Sequence, residues 1–275
     1  MSSKKFIRQY ELIITLNSKE TVKILPEIRI QFEVNKSIKG GLNTCTIKIY
    51  NLNQDKQMKL VREKEDNKSR LPFILKAGYN KLETIFKGTI FEAKTTKTGS
   101  DFITTITSQD GGFDFINSFT SKTVKSNDIS NILEDMPNTQ KGRISKRQDL
   151  IRPKVLVGNS AKLIEDSLAE DETYFIDDEK LYIIKDTEVI SPYIPLIQAN
   201  TGLLNTPTRN AYEVTFNVLM NPDLRIGGLV ELKSKYAIYL NGIYKIKTIK
   251  YKGDNYGSEW QQECLCTIAQ DYKVI

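Results

Sequence analysis

Cys264 and Cys266 are the residues of this chain best spaced to bind something. Alternate side chains of a β-strand share a face, so both thiols point one way and Leu265 the other. Two thiolates so placed could begin a metal site, but a tetrahedral zinc site takes four ligands. The 275-residue chain has no histidine and one further cysteine, Cys45. No CxxC occurs, which excludes a zinc ribbon and a thioredoxin-type centre. The pair reads as two small apolar side chains turned into a core. The low, odd cysteine count argues against a disulfide framework and fits folding in a reducing cytoplasm.

The missing histidine excludes Ser-His-Asp and Cys-His catalysis, histidine-ligated zinc and histidine-based pH switching. Carboxylate, lysine and tyrosine chemistry remain. Residues 165–188 hold ten Asp or Glu against Lys180 and Lys185. A calcium loop needs regularly alternating oxygen ligands, and that spacing is absent. The run reads as a solvated or interfacial acidic face, able to meet the basic stretch 141–154 of the same chain or of a neighbour. Glu259, Trp260 and Glu263 suggest a glycosidase, whose two carboxylates stand about 5–9.5 Å apart. Trp260 reads better as a packing anchor. No GxxxxGK[ST] or GxGxxG phosphate loop occurs. The N-terminal lysines and arginines alternate with apolar residues and acids, a solvated strand face rather than a nucleic-acid surface. No catalytic residue, cofactor site or metal site is read from these patterns.

The elements that must position these residues are mostly strands. In 28–34, Ile28, Ile30, Phe32 and Val34 alternate with polar residues, and in 44–50 Cys45, Ile47 and Ile49 do the same. Residues 6–16, 71–79, 82–96 and 101–109 predict further strands. Asn53 predicts the cap of a polar helix within 53–65, with Asp55 in its first turn. In 126–137, Ile129, Ile132, Leu133 and Met136 fall on one helix face, stopped by Pro137. An exposed loop is expected over 141–154, a strand at 155–158, and a helix at about 160–171 with Ile164 and Leu168 inward. Residues 173–186 predict a hairpin turning at Asp177-Asp178-Glu179. In 212–219, Tyr212, Val214, Phe216 and Val218 alternate as one strand face. Asn241-Gly242 suits a type I′ hairpin turn. Gly227-Gly228 suits a sharp entry into the next strand, and Gly253-Asp254-Asn255 a tight turn.

The expected fold is mainly β: two antiparallel β modules, 1–110, a small barrel or sandwich, and 191–275, flanking a small α+β module at 111–190. The overall charge of +6, from 40 basic and 34 acidic residues, is uneven. Residues 1–110 carry 20 basic and 12 acidic residues, 111–190 carry 11 and 15, and 191–275 carry 9 and 7. No apolar stretch approaches a membrane span. The basic N-terminal stretch lacks a signal-peptide core and cleavage site, so ordinary secretion is not expected.

Several segments are more specific. IRIQFEVNKSIKGGLNTCTIKIYNLN (28–53) carries Lys36, Ser37, Asn43, Ile47, Ile49, Tyr50, Asn51 and Leu52. ITSQDGGFDF (106–115) carries Asp110-Gly111. NPDLRIGGLVELKS (221–234) carries Asn221, Pro222, Gly227 and Val230, and NGIYKIKTIKYKGDNYGSEW (241–260) carries Asn241, Gly242, Tyr244, Gly253, Asp254, Asn255 and Trp260. In these residues and in their order the chain resembles the baseplate hub proteins of tailed phages. Tyr251 stands where that family often has histidine.

The resemblance implies two barrels, each like a tail-tube subunit, in a non-enzymatic structural protein that forms a homotrimeric ring. Such a ring matches a six-fold tail tube, or a tube-proximal baseplate protein, to a three-fold central spike. Its lumen passes the tape measure protein and then DNA, with no cofactor and no stable membrane insertion. The implied place is the virion tail baseplate, of a phage or a related contractile injection system, assembled in the host cytoplasm. On the residues alone two other classes stay open, a hub-associated carboxylate-based peptidoglycan hydrolase and a β-barrel nucleic-acid-binding protein.

Overall fold

The computed structural model describes residues 7–17, 20–61, 70–79, 81–145, 152–269 and 272–274. The N-terminal part supplies β1 (Gln9–Asn17), β2 (Glu20–Ile24), β3 (Ile30–Ser37), β4 (Thr44–Tyr50), helix α1 (Gln54–Leu60), β5 (Pro72–Gly78), β6 (Leu82–Thr98) and β7 (Asp101–Gln109). The middle contains α2 (Gly112–Asn117), β8 (Phe119–Val124), α3 (Ser130–Leu133), β9 (Gln140–Ile144), β10 (Lys154–Asn159), α4 (Ser160–Glu165), β11 (Glu172–Asp177), β12 (Lys180–Lys185) and β13 (Glu188–Val189). The C-terminal part adds β14 (Leu196–Ile197), β15 (Thr208–Asn210), β16 (Glu213–Leu219), β17 (Leu229–Leu232), β18 (Gly242–Asp254), β19 (Trp260–Ile268) and β20 (Lys273–Val274).

The chain is mainly β, as the alternating patterns predict. The N- and C-terminal strands form one sheet, whose main path runs β15-β16-β19-β18-β3-β4-β7-β6-β5-β1-β2. The two halves join at β3 and β18, which pair antiparallel from Thr248 opposite Ser37 to Asp254 opposite Gln31. One apolar core follows this sheet, from Tyr10, Leu12 and Phe32 to Phe216, Trp260, Cys264 and Cys266. A second core in the middle gathers Ile129, Ile132, Leu133, Met136, Leu156, Ile164, Tyr174 and Ile183. Among the described residues no helix is long and apolar enough to cross a membrane.

The structure departs from the sequence patterns in several places. β2, unanticipated, pairs with β1 as a hairpin. The polar helix keeps its cap, with Asn53 Oδ1 accepting from Lys56 N at 3.0 Å, but α1 ends at Leu60. The 126–137 helix is a single turn, α3; its four apolar residues are all buried, while the Asn131 amide binds Ser126 and Asp128 and draws the chain out of helical geometry before it. The expected 160–171 helix stops at Glu165, where Ser167 Oγ turns back to the Ile164 carbonyl at 2.7 Å. Ile164 is buried and Leu168 packs on the second core, as read.

Residues 141–144 are not loop: β9 pairs parallel with β12. Residues 146–151, with most of that basic stretch, lie outside the described residues. Tyr212 leaves its strand face and is 80% exposed, whereas Val214, Phe216 and Val218 are buried. Asn241-Gly242 makes no type I′ turn. Asn241 is extended (φ −69°, ψ 133°), and β17 and β18 are joined by the loop 233–241, which contains a 3-10 turn at Ile238–Leu240.

Candidate functional site

The β11–β12 hairpin turns at Asp178 and Glu179, both left-handed (φ 55° and 62°). Such a conformation costs a non-glycine residue on the order of 1–3 kcal/mol and persists where the surroundings hold it. Here the turn is seated between the two halves of the large sheet. From β3, Lys36 Nζ reaches Asp177 Oδ1, and Asp178 Oδ1 at 3.2 Å. From the loop before β17, Arg225 reaches Asp178 Oδ2 at 2.6 Å and Asp177 Oδ2 at 3.6 Å. Glu179 is held by Arg70 and by Lys87 of β6, the latter at 2.8 Å. Its backbone N–H donates to Asp110 Oδ1 at 2.8 Å.

Four of the residues singled out in the sequence shape this socket. Asn43 donates from Nδ2 to the Ile176 carbonyl at 2.6 Å and accepts at Oδ1 from Ser37 N at 3.0 Å. Asp110 grips the turn. Gly111 (φ 70°) lies so close that a Cβ there would come within 2.5 Å of Ile176 Cδ1. Gly227 (φ 74°) lies against Phe175, leaving 3.1 Å to Cζ for any added Cβ. Their roles are to let a hairpin of the middle module approach both halves of the sheet.

Burial disfavours the Lys36 ammonium, but Asp177 and Asp178 outweigh it and hold its pKa above the ordinary lysine value. Burial likewise opposes the Asp178 carboxylate, and Lys36 and Arg225 keep it below its usual range. Asp110 goes the other way: burial, with Asp177 and Asp178 adding to it, pushes its carboxyl well above the usual range against the pull of Lys36. Its Oδ2 has no hydrogen-bond partner among the described residues. Carboxylate oxygens of Asp110, Asp177 and Asp178 converge within 4.8 Å of one another. Lys36 and Arg225 already pair with Asp177 and Asp178, so two of the three carboxylates are engaged by cations of the chain itself.

A second constellation binds the β18–β19 turn to the N-terminal strands. Asp254 accepts from Arg29 Nη2 and Gln31 Nε2, each at 2.8 Å, and from the N–H groups of Tyr256 (3.0 Å) and Gly257 (2.8 Å). Burial opposes its charge, but these donors bring the pKa down to about 2. Arg8 donates to the carbonyls of Asp254 (2.9 Å), Gly257 and Ser258 (3.1 Å). Asn255 accepts from Ile30 N at 2.8 Å. Tyr50 donates to Gln31 at 2.9 Å, and its ring lies 4.6 Å under Arg29. Gly253 leaves room for the Phe32 ring, which meets Trp260 edge-on at 5.4 Å. Gly253 is therefore a point of close packing, not a turn residue with positive φ.

The other singled-out residues close local turns. Asn51 is left-handed (φ 53°) and bridges to β7 through Phe102 N at 2.9 Å, beside buried Leu52. Asn221 accepts from Asp223 N at 3.2 Å, and its own N–H donates to Gln262, closing a turn through Pro222. Asn241 accepts from Ser234 N at 2.7 Å; after Gly242, Tyr244 donates to the Leu240 carbonyl at 2.8 Å.

Neither chemical reading of the sequence finds its geometry. Cys45, Cys264 and Cys266 are buried free thiols, and burial pushes the Cys264 thiol up to about 12. Trp260 is core, not a sugar platform. The acidic run is split: Asp177, Glu179 and Glu188 are buried, while Glu165, Asp166, Glu170 and Asp171 are exposed. The ionic partners of Asp177 and Glu179 are Lys36, Arg70, Lys87 and Arg225, and Glu188 accepts from Ser145 Oγ and Lys185 N. Sequence reading missed this pairing, although Lys36 occupies an inward position in the alternation of Ile30, Phe32 and Val34.

A family model described as Baseplate hub gp41 matches residues 11–262. No curated protein matches the chain. Among solved structures, the 43 kDa tail protein of prophage MuSo2 from Shewanella oneidensis superposes with a TM-score of 0.65 at 7% identity, over 94% of this chain and 97% of that one. A tail protein from Neisseria meningitidis MC58 gives 0.61 at 8% identity, over 96% and 99%. An E. coli type VI secretion component, described as structurally similar to the T4 phage tail proteins gp27 and gp5, gives 0.61 at 8% identity, over 89% and 75%.

Proposed function

The chain belongs to the baseplate hub gp41 family and is a structural tail protein, and on that premise we propose that it is the hub subunit that closes a trimeric ring at the end of the tail tube. Residues 1–110 and 191–275 are the two tube-like barrels, and 111–190 the module clamped between them. Three chains then present six pseudo-equivalent barrels, enough to meet a six-fold tube on one side and a three-fold spike on the other. The ring surrounds the channel for the tape measure protein and DNA, and the chain acts by shape and burial rather than by chemistry.

The observation that carries this reading is the family match across nearly the whole chain. The geometry supports it, because the Asp177–Asp178–Glu179 cluster and the Asp254 constellation each tie one part of the chain to another. The barrels share a sheet at β3 and β18, and the Asp254 constellation locks the same seam. Two barrels fixed rigidly in one chain are what a symmetry adaptor requires.

Native mass measurement of the full chain, with averaged images of tails carrying a labelled copy, tests the proposal. A trimer on the tail axis is expected. Monomers alone, with label away from that axis, would refute it.

A further inference from the structure

The loop 233–241 clusters three large solvent-facing side chains within four residues. Tyr236 is 87% exposed, Ile238 69% and Tyr239 81%. The loop is nonetheless rigidly built. Ala237 and Leu240 are buried beneath it, Ala237 N donates to Ser234 Oγ at 3.1 Å, and Asn241 and Tyr244 close its base. A pre-organised loop loses little entropy on docking. Tyrosine is also among the residues most enriched at binding hot spots. Burying these three side chains would remove about 500 Å² from water, more than half of the ~800 Å² that one side of a standard interface contributes.

Charge identifies the occupant. Residues 232–241 contain no acid; Lys233 is held by Glu231 at 2.7 Å, and Lys235 has no ion-pair partner among the described residues. The complementary surface is an apolar patch with an acidic rim, and the chain itself offers one at the end of α4. There Leu163 and Leu168 are half-buried and Ala169 is exposed, rimmed by Asp166 and Glu170, exposed acids without ion-pair partners among the described residues. The outward face of the β8–β10 ribbon, with Phe119, Val155 and Val157, is also apolar, but its exposed neighbours Arg152 and Lys154 repeat the sign of Lys235.

We propose that the loop 233–241 of one copy seats on the 163–171 segment of the next copy. The contact is head-to-tail, using different patches on the two partners; such contacts close into a ring when the rotation between copies closes and run on as open filaments when it does not. The inference rests on the ring proposed above and adds to it which surfaces meet.

The test uses the full chain carrying Tyr239→Cys and Ala169→Cys together. The native cysteines are buried, so mild oxidation reads only the introduced pair. Covalent dimers and closed trimers are expected, and neither single variant should give them in that yield. Lys235→Glu should weaken association by about tenfold through like-charge repulsion, and adding Asp166→Lys should restore most of it. Trimers that form without this cross-link, and whose affinity ignores Lys235→Glu, would overturn the contact while leaving the ring intact. If Tyr236→Ser with Tyr239→Ser instead abolished sedimentation of the chain with phosphatidylserine vesicles and left trimers unchanged, the loop would be a lipid-facing element and the contact would also be overturned. An absence of trimers both in solution and in tails would remove the ring itself.

Discussion

Lys36→Met tests whether the buried charges hold the hairpin in its socket. The Lys36 side chain is 2% exposed and serves two carboxylates, Asp177 at 4% and Asp178 at 18% exposure. Removing one partner of a buried ion pair costs about 3–5 kcal/mol, because the other charge is left uncompensated. Arg225 still reaches both carboxylates, which places the expected loss at the lower end, about 3 kcal/mol at neutral pH. For a chain of this size that corresponds to a fall of roughly 6–12 °C in the midpoint of thermal unfolding.

The loss should depend on pH with a definite sign. In the parent chain the folded-state pKa of Asp178 is depressed. Its contribution is thus present above the unfolded carboxylate value and lost as pH falls through the folded one. Lys36, whose pKa is raised, contributes below the ordinary lysine value and loses its contribution only in strong alkali. In the variant Asp178 no longer has Lys36 to keep it charged, so the difference between the chains should shrink as pH falls below about 5. Urea unfolding followed by the single tryptophan, Trp260, which is buried, gives the measurement at each pH. A triple variant, Lys36→Met with Asp177→Asn and Asp178→Asn, should recover much of the loss, since asparagine tolerates the left-handed turn. A variant within about 0.5 kcal/mol of the parent at neutral pH, the scale of an ordinary surface change, would refute the role given to the cluster.

Three further outcomes are expected. Gly253→Ala should push Phe32 off Trp260, costing about 1–3 kcal/mol by overpacking and changing the tryptophan emission of the folded chain; unchanged emission and stability would contradict the packing. Asp254→Ala should cost about 2–3 kcal/mol at neutral pH by stranding its donors, and because the folded pKa is about 2, the deficit should fade as pH drops from about 4 toward 2 in urea titrations. Asp110→Asn should keep the Glu179 N–H bond and leave stability equal or higher at neutral pH, because a carboxyl whose pKa is raised by burial weakens the fold as pH rises from the unfolded carboxylate value toward the folded one; a large loss in denaturant melts would show that its charge is required.

Strands were the legible part of the sequence. Period-two alternation located β3, β4, β7 and β16 closely, because one buried face forces that alternation. The hairpin turn at 177–179 was legible for the same reason, as a polar break between two apolar runs. The short helices were less so: α3 is a single turn and α4 fewer than two, each kept by burial of a few side chains, and the 3.6-residue pattern does not say where they stop. Asn241-Gly242 misled because the dipeptide also serves an extended position, with the asparagine amide closing a longer loop.

The site was legible in its glycines and asparagines but not in its charges. Asn43, Gly111 and Gly227 stood out singly, and only the fold shows that they surround one hairpin. Lys36 and Asp177 are 141 residues apart in the chain, a pairing that no local spacing encodes.

The seam between β3 and β18 has a consequence for how the chain is made. Arg8 and the Asp254 carbonyl it holds are separated by 246 residues. At synthesis rates of about 5–20 residues per second, the N-terminal strands must wait roughly 10–50 s for their partner to leave the ribosome. Throughout that interval the pairing edge of β3, with its inward lysine, is open to any other strand. Release of a polypeptide shortened before residues 248–254 would leave that edge unsealed, so the seam also acts as a check that translation has passed β18 before a subunit can assemble.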